Sequence, residues 1–506
     1  MAEKFVHSEV YDFSAGVNQS VSRLIKAENE SEAIENGELA SIGGVSKTAG
    51  YSQKGSDVKD GYAILGIVNG YKPSDGTRKH IVVANGAANS DAYTYNPITD
   101  TWTPHSLSLT AGAKAEFESF LDGFFMVNYS DATRWNDLTQ WYTTTNVTNA
   151  PKAYYIKQYL SRIYLFYVSY DGSVYPSRCV YSDLPSGSPM TIAWDNTNNY
   201  FDVATDDGDV AKGMEVNSNR LLLFKENSLY RYDTNTLYKV PGCPGTVSQR
   251  SVKNIEGWTL YFHSTGLWGY NGTESKLLSR RVVDIINGVS TNNWTSTCAW
   301  VEGDHYYVYL GDVKNTSVGL QISKCLLDYD IAKNAFTWRS LLHEPTVFCD
   351  FRDSRTGYTY DNATITYNST GATYSGLLES SEATKAYFGD SSGAVFRFNS
   401  GKSYAGTAIP FKHETKDYYF NFPSLYKLFQ KVYIFVDSRK GITIQYKLDD
   451  GDWATLGRVS SAQSELVFPT SARGKRIRFR VLESSSGDKF TFEGFDVYYT
   501  LEGLVD

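Results

Sequence analysis

Between residues 61 and 400 one short pattern returns repeatedly: an apolar strand, a turn, a second strand rich in aromatic residues, then a polar loop. GYAILGIV leads to HIVVANG and AYTYNPITDTW, ending at Trp102. FESFLDGFFMVNYSDATRWN follows, with Asp122-Gly123 as a predicted hairpin turn. YLSRIYLFYVSYDG, NRLLLFKENSLYRY, GWTLYFHSTGLWGYNG, DHYYVYLGD with CLLDYDIAKNAFTW, and AYFGDSSGAVFRF continue the series. The spacing is roughly 35–50 residues, and one such unit cannot bury both of its faces alone. A ring of them can. The period predicts a β-propeller, whose four-stranded blades stack radially and leave little sheet edge exposed. About six or seven blades fit this stretch, and no strict WD or kelch signature fixes the count.

The residue types agree. The 506 residues include 39 Tyr, 26 Phe and 10 Trp beside 41 Gly. Aromatic side chains suit a pleated, half-buried surface, and Gly suits the turns between strands. A hydrophobic share of 41% supports a large core and excludes wholesale disorder. The expected fold class is all-β.

The flanks read differently. Residues 1–60 predict an extended N-terminal arm with one short helix around 29–36, NESEAIEN. Asn29 would cap it, with Glu32 three residues later as in a capping box. The Gly- and Ser-rich sequence on either side suggests a docking segment rather than a self-sufficient domain. Residues 411–506 predict a β-sandwich of about eight strands. KVYIFVDSRKGITIQYKLDDGDWATLGRV reads as a meander turning at Lys440-Gly441 and Asp450-Gly451, and KRIRFRVLES alternates cleanly.

No chemistry stands out. GxSxG, HExxH, a P-loop and a GxGxxG opening a helix are all missing, so no catalytic residue is assigned and an enzyme is not expected. The seven His are scattered, and His263 in LYFHSTG reads as a strand residue facing a hydrogen-bond partner. TDDGDV at 205–210 and LDDGDW at 448–453 resemble calcium loops but lack the alternating ligands and the distal Glu, so they read first as hairpin turns. SYDGSVYPS at 169–177 is a distant echo of a sialidase Asp-box. Five widely spaced Cys without a CxxC read as plain buried thiols. No cofactor and no metal is expected.

Net charge is −8, which disfavours a freely searching nucleic-acid binder. The opening MAEKFVHSEVYDFSAG lacks the apolar stretch of a signal peptide, and no run approaches a membrane helix, so synthesis and folding in a cytoplasm are expected. Arg476, Arg478 and Arg480 share one face of a strand whose other face carries Ile477, Phe479 and Val481. That row is either a solvated outer face or a surface for a carboxylate-rich neighbour or a phosphate backbone.

Phe13-Ser-Ala-Gly16-Val-Asn18, then Ile25, Glu30, Ala33, Asn36 and Gly43-Gly44 leading into Lys47-Thr-Ala-Gly50-Tyr51, resembles the opening of tailed-bacteriophage virion proteins. Ala15 departs from the first Gly of their pair, and Lys47 stands where Arg is usual. PSRCVYSD, RLLLFKENSLYRY, GTVSQRSV, STGLWGYNG and the closing RIRFRVLESSSGDKFTFEGFDVYY are similar to later segments of the same proteins. The resemblance implies a propeller protein of the tail nozzle type: a virion structural protein made in the host cytoplasm. Six copies would ring the channel for DNA ejection, beside neighbouring tail and adaptor proteins, with DNA passing through without sequence-specific binding. It points to Phe13, Gly16, Asn18, Asn36, Gly43, Gly44 and Gly50 as arm-docking interface residues. The Arg476, Arg478 and Arg480 row joins them as a further interface expectation. A host-surface or glycan-binding protein at the tail tip is the competing expectation.

Overall fold

The computed structural model describes residues 6–187, 191–352, 384–437, 441–459, 461–485 and 489–502. Its secondary structure is 55% strand and 4% helix, an all-β chain. The recurring units become small antiparallel sheets. Blade 1 spans 64–104, blade 2 116–142, blade 3 152–202, blade 4 211–239, blade 5 253–277 and blade 6 298–340. Each of these six is woven from one stretch of chain. Blade 7 is split: Pro345–Phe351, Lys385–Asp390 and Val395–Arg397 are joined by Ser52–Gln53, which pairs antiparallel with the last of them. First strands pack beside one another around the axis, and that of blade 7 packs against that of blade 1, which closes the ring. The short turn Gln249–Ser251 sits between blades 4 and 5 at the centre.

Closure explains the apolar runs. A strand packed between two neighbouring blades is buried on both faces, so it need not alternate. Gly123–Val127, GFFMV, is buried throughout. Its Phe125 and Val127 pack with Ile163, Leu165 and Trp194 of the blade 3 region, while Phe124 and Met126 pack with Leu65 and Ile81 of blade 1. The interblade layers are the core of the ring.

Residues 411–502 form a sandwich, and the N-terminal segment contributes strands to both of its sheets. One sheet runs Gly37–Leu39, Val45–Lys47, Thr491–Glu502, Tyr426–Val436, Gln463–Val467, with Val6–Val10 also on Thr491–Glu502. The other runs Ser31–Glu35, Phe411–Thr415, Ile477–Glu483, Ile442–Leu448, Ala454–Val459. This second sheet is continuous with blade 6, because Glu35 pairs in parallel with Trp338.

The expected helix at 29–36 is therefore a strand. Ser31, Ala33, Ile34 and Glu35 pair with Thr415, Glu414, His413 and Lys412. Glu30, not Glu32, turns back to accept the Ala27 amide at 2.9 Å, while Glu32 takes Lys26 at 2.9 Å. An isolated turn of helix is marginal in water, whereas burial of Ala33 and Ile34 beside two partner strands is not. Among the described residues the α-helix is Val283–Asn287. Residues 6–53 are woven into the body rather than standing off it as an arm.

Candidate functional site

The residues expected to dock on a neighbour are packed against their own chain. Phe13 is fully buried, edge-on to His413 at 4.8 Å and stacked on Phe492 at 5.5 Å. Gly16 has a φ of 63°, and a Cβ there would lie 2.7 Å from the Phe336 carbonyl oxygen of blade 6. Asn18 donates to Glu30 at 2.6 Å. Asn36 donates to the Pro410 carbonyl at 2.6 Å and accepts from the Ser340 amide at 3.0 Å and the Tyr404 hydroxyl at 2.8 Å. One buried amide thus links the blade 6 edge to the start of the sandwich. Gly43 and Gly44 lie against the backbone of Tyr11 and Phe492, and Gly50 against that of Ser403.

The arginine row is likewise neutralised within the chain. Arg476 pairs with Asp450 at 2.6 Å, and Arg478 with Asp417 at 2.9 Å and Glu32 at 3.2 Å. Arg480 pairs with Glu414 at 2.8 Å and lies 3.9 Å over the Trp453 ring. A carboxylate-rich neighbour does meet this row, and it belongs to the same molecule.

The Asp-Gly loops are occupied by turn and strand contacts. Asp207 holds the buried Lys225 and the Tyr230 hydroxyl, and Asp209 accepts from the Asn227 amide and the Ser228 hydroxyl. Asp449 accepts the Lys475 amide at 3.0 Å. Among the described residues, no group of three or more His, Cys, Asp or Glu is placed to hold a metal ion. His263 Nδ1 lies 2.8 Å from the Thr265 hydroxyl, as a strand histidine should.

The polar centre of the molecule lies on the propeller axis. Arg250, on the inserted turn, reaches four residues contributed by three other blades. It donates to Glu116 at 2.8 Å and to the Thr346 carbonyl at 2.9 Å. It also donates to the carbonyls of Leu65 and Ala115. Gln249 bonds both the amide and the carbonyl of Met214 in blade 4, at 2.6 and 2.9 Å. Lys157 of blade 3 lies 3.4 Å from Glu118 of blade 2 and 3.2 Å from Glu215 of blade 4. Burial disfavours the Lys157 ammonium, but Glu215 and Glu118 outweigh it and hold its pKa above the ordinary lysine value. Burial pushes the Glu118 carboxyl up, and Lys157 offsets this only in part. The axis is pinned shut by side chains, leaving a cavity of about 120 Å³.

A cavity of about 480 Å³ is lined in part by Gln249 and Arg250, and a second of about 740 Å³ adjoins it across Lys114. Lys114 donates to the Thr295 carbonyl at 2.7 Å, and burial followed by the Arg250 charge lowers its pKa.

Sequence reasoning did not single out Arg250, Gln249 or Lys157. Arg250 and Gln249 lie inside GTVSQRSV, where the available signal was a polar pair in an otherwise small-residue turn.

No protein-family model matches the chain, and no curated protein sequence matches it. Among solved structures it is similar to YCF48 bound to D1 peptide, at 8% identity and a TM-score of 0.35, over 69% of this chain and 94% of that one. It is also similar to the extracellular domain of the putative one-component system BT4673 from B. thetaiotaomicron, at 10% identity and a TM-score of 0.41. That likeness covers 87% of this chain and 58% of the other. At this level of similarity neither structure assigns this chain a ligand, partner or activity.

Proposed function

We propose that the chain is a structural subunit of a bacteriophage tail, of the nozzle type. On this reading several copies, about six, form a ring with neighbouring tail proteins around the path of ejected DNA. The observation that carries it is the weaving of residues 6–53 into both sandwich sheets and blade 7, with blade 6 continuous into the sandwich. Propeller and sandwich are joined by sheet and by buried polar contacts, which suits a subunit that must hold its shape in a symmetric closed assembly. The resemblance of the sequence to phage virion proteins supplies the setting.

Two further features support the reading. Arg250 closes the propeller axis, so DNA would pass between subunits at the ring centre and not through any one propeller. The Arg476, Arg478 and Arg480 charges are already matched by carboxylates, so they offer a moving duplex little phosphate grip. Native mass spectrometry and negative-stain microscopy of the purified protein, alone and with its tail partners, test the proposal. Rings are the expected result. A protein that stays monomeric under both conditions, or single copies at a fibre tip in the virion, would overturn it.

A further inference from the structure

At the edge of the 480 Å³ cavity three tyrosines form a compact stack. Tyr129 and Tyr154 are parallel, with centroids 4.2 Å apart and planes 5° from each other. Tyr167 stands edge-on to both, at 5.4 and 4.9 Å. Tyr154 is 41% exposed, while Tyr167 is half-buried against the hydrophobic layer between blades 3 and 4, so the stack stands at the surface edge of that layer. Two of its members nevertheless hold left-handed backbone: Tyr129 at φ 63° and Tyr167 at φ 59°. Tyr167 occupies the bulge where blade 3 shifts register between Phe166 and Val168. Tyr129 is held by a turn in which Asn128 and Asp131 bond each other's polar groups, at 2.6 and 2.8 Å. An aromatic residue seldom adopts this conformation, and here the bulge and the turn hold Tyr167 and Tyr129 against the partly exposed Tyr154.

The stack reaches the 480 Å³ cavity through Tyr154, and the cavity wall also includes Tyr155, Asn128, Ser130 and Lys212. The adjoining 740 Å³ cavity is lined mainly by amides and hydroxyls, among them Asn293, Ser290, Thr346 and Tyr309. Charges of both signs, Lys114 and Lys314 with Asp312 and Glu344, share that wall. The charges of that wall balance, and in the 480 Å³ cavity Arg250 is matched by Glu116, which leaves Lys212 and Lys114 as its basic groups. What fits is a ligand with hydroxyls around its rim and apolar C–H faces for stacking.

We propose that the cleft formed by these two adjoining cavities binds an oligosaccharide, with Tyr154, backed by Tyr129 and Tyr167, as the platform for one sugar ring. Tyr155, Asn128 and the amide-lined second cavity hydrogen-bond its hydroxyls. The proposal goes beyond the ring-subunit reading and does not depend on it, because the cleft lies within one chain.

The test uses the full chain on a printed array of bacterial capsule and O-antigen oligosaccharides, with affinities of any bound members measured by saturation-transfer NMR. Binding by at least one member is expected, weakened about tenfold by Tyr154→Ala and more modestly by Tyr155→Phe. Tyr426→Ala, an exposed tyrosine of the sandwich, should leave it unchanged, and unchanged circular dichroism of Tyr154→Ala shows that the fold survives. No bound sugar at millimolar concentration overturns the proposal, as does binding insensitive to both cleft variants. Displacement of the sugar by duplex DNA overturns it too, since the cleft would then be an anion site. Ring formation is read separately by native mass, so failure here leaves the structural reading standing.

Discussion

A guanidinium nitrogen of Arg250 lies 2.9 Å from the carbonyl oxygen of Thr346, in the third blade on around the ring and 96 residues on in the chain. Its other nitrogens reach blades 1 and 2, so one side chain gathers inner strands from three blades around a single point. Removing a hydrogen-bonded buried charge leaves its partners unmatched, at a cost of about 3 kcal/mol or more. Arg250→Ala should therefore lower the denaturant midpoint clearly, and Arg250→Lys should recover only part, since an ammonium cannot span the same set of acceptors. A midpoint equal to that of the parent protein would show that the ring closes without its pin.

The N-terminal segment gives a second prediction, opposite to that for a dispensable arm. Deleting residues 1–40 removes Val6–Val10, Ser31–Glu35 and Gly37–Leu39, strands from both sandwich sheets, and uncovers Ile34, Phe13 and Val45 environments that are fully buried. The expected outcome is a protein that aggregates or melts much earlier in a thermal scan. A melting temperature within a degree or two of the parent would place the stabilising contacts elsewhere.

Buried histidines predict acid sensitivity. Burial lowers the His413 pKa to about 3, and burial followed by the Lys54 charge lowers that of His80. Both are neutral in the fold, with pKa values below the unfolded value of about 6.5. Stability from them is present above pH 6.5 and is lost as pH falls from there toward the folded values. For His413 alone the loss between pH 7 and pH 4.5 is about 3 kcal/mol. Urea unfolding at a series of pH values should show the slope, and His413→Gln should flatten it.

Glycines sort by what surrounds them. A Cβ on Gly50 would sit 1.9 Å from the Ser403 carbonyl oxygen, whereas one on Gly76, at φ 75°, meets nothing within 4 Å. Gly76→Ala should cost only about 1 kcal/mol, the price of a left-handed alanine. Gly50→Ala should displace backbone and yield little soluble protein. Equal expression and melting of the two variants would contradict the packing described at the Gly50 contact.

The blades were legible because their signals are local. Paired apolar strands separated by turns have their partners next to them in sequence, so both halves of the signal are read together. Even there the turn in blade 2 is offset: Phe120 pairs with Gly123, so Leu121-Asp122 forms the loop. Gly123 is needed as glycine because a Cβ would meet the Asn136 carbonyl oxygen at 2.1 Å. Ser31–Glu35 was misread since its partner strand, Phe411–Thr415, lies far along the chain, while its capping-type residues are adjacent. Arg250, Lys157 and the tyrosine stack were invisible for a related reason. Their roles arise from ring geometry, which brings Lys157 between Glu118 and Glu215, and no local periodicity marks them.

Blade 7 also dictates an order of events on the ribosome. Ser52–Gln53 emerges early, but its partner Val395–Arg397 is made about 340 residues later, roughly 20–70 s at ordinary elongation rates. Val6 waits longer still, for Tyr499. Through that interval the early strands hold edges whose partners have not been made. A prematurely terminated polypeptide has no means of closing either seam. The stitching thus makes completion of the chain a condition for closing the fold, and a truncated product keeps its early strand edges open.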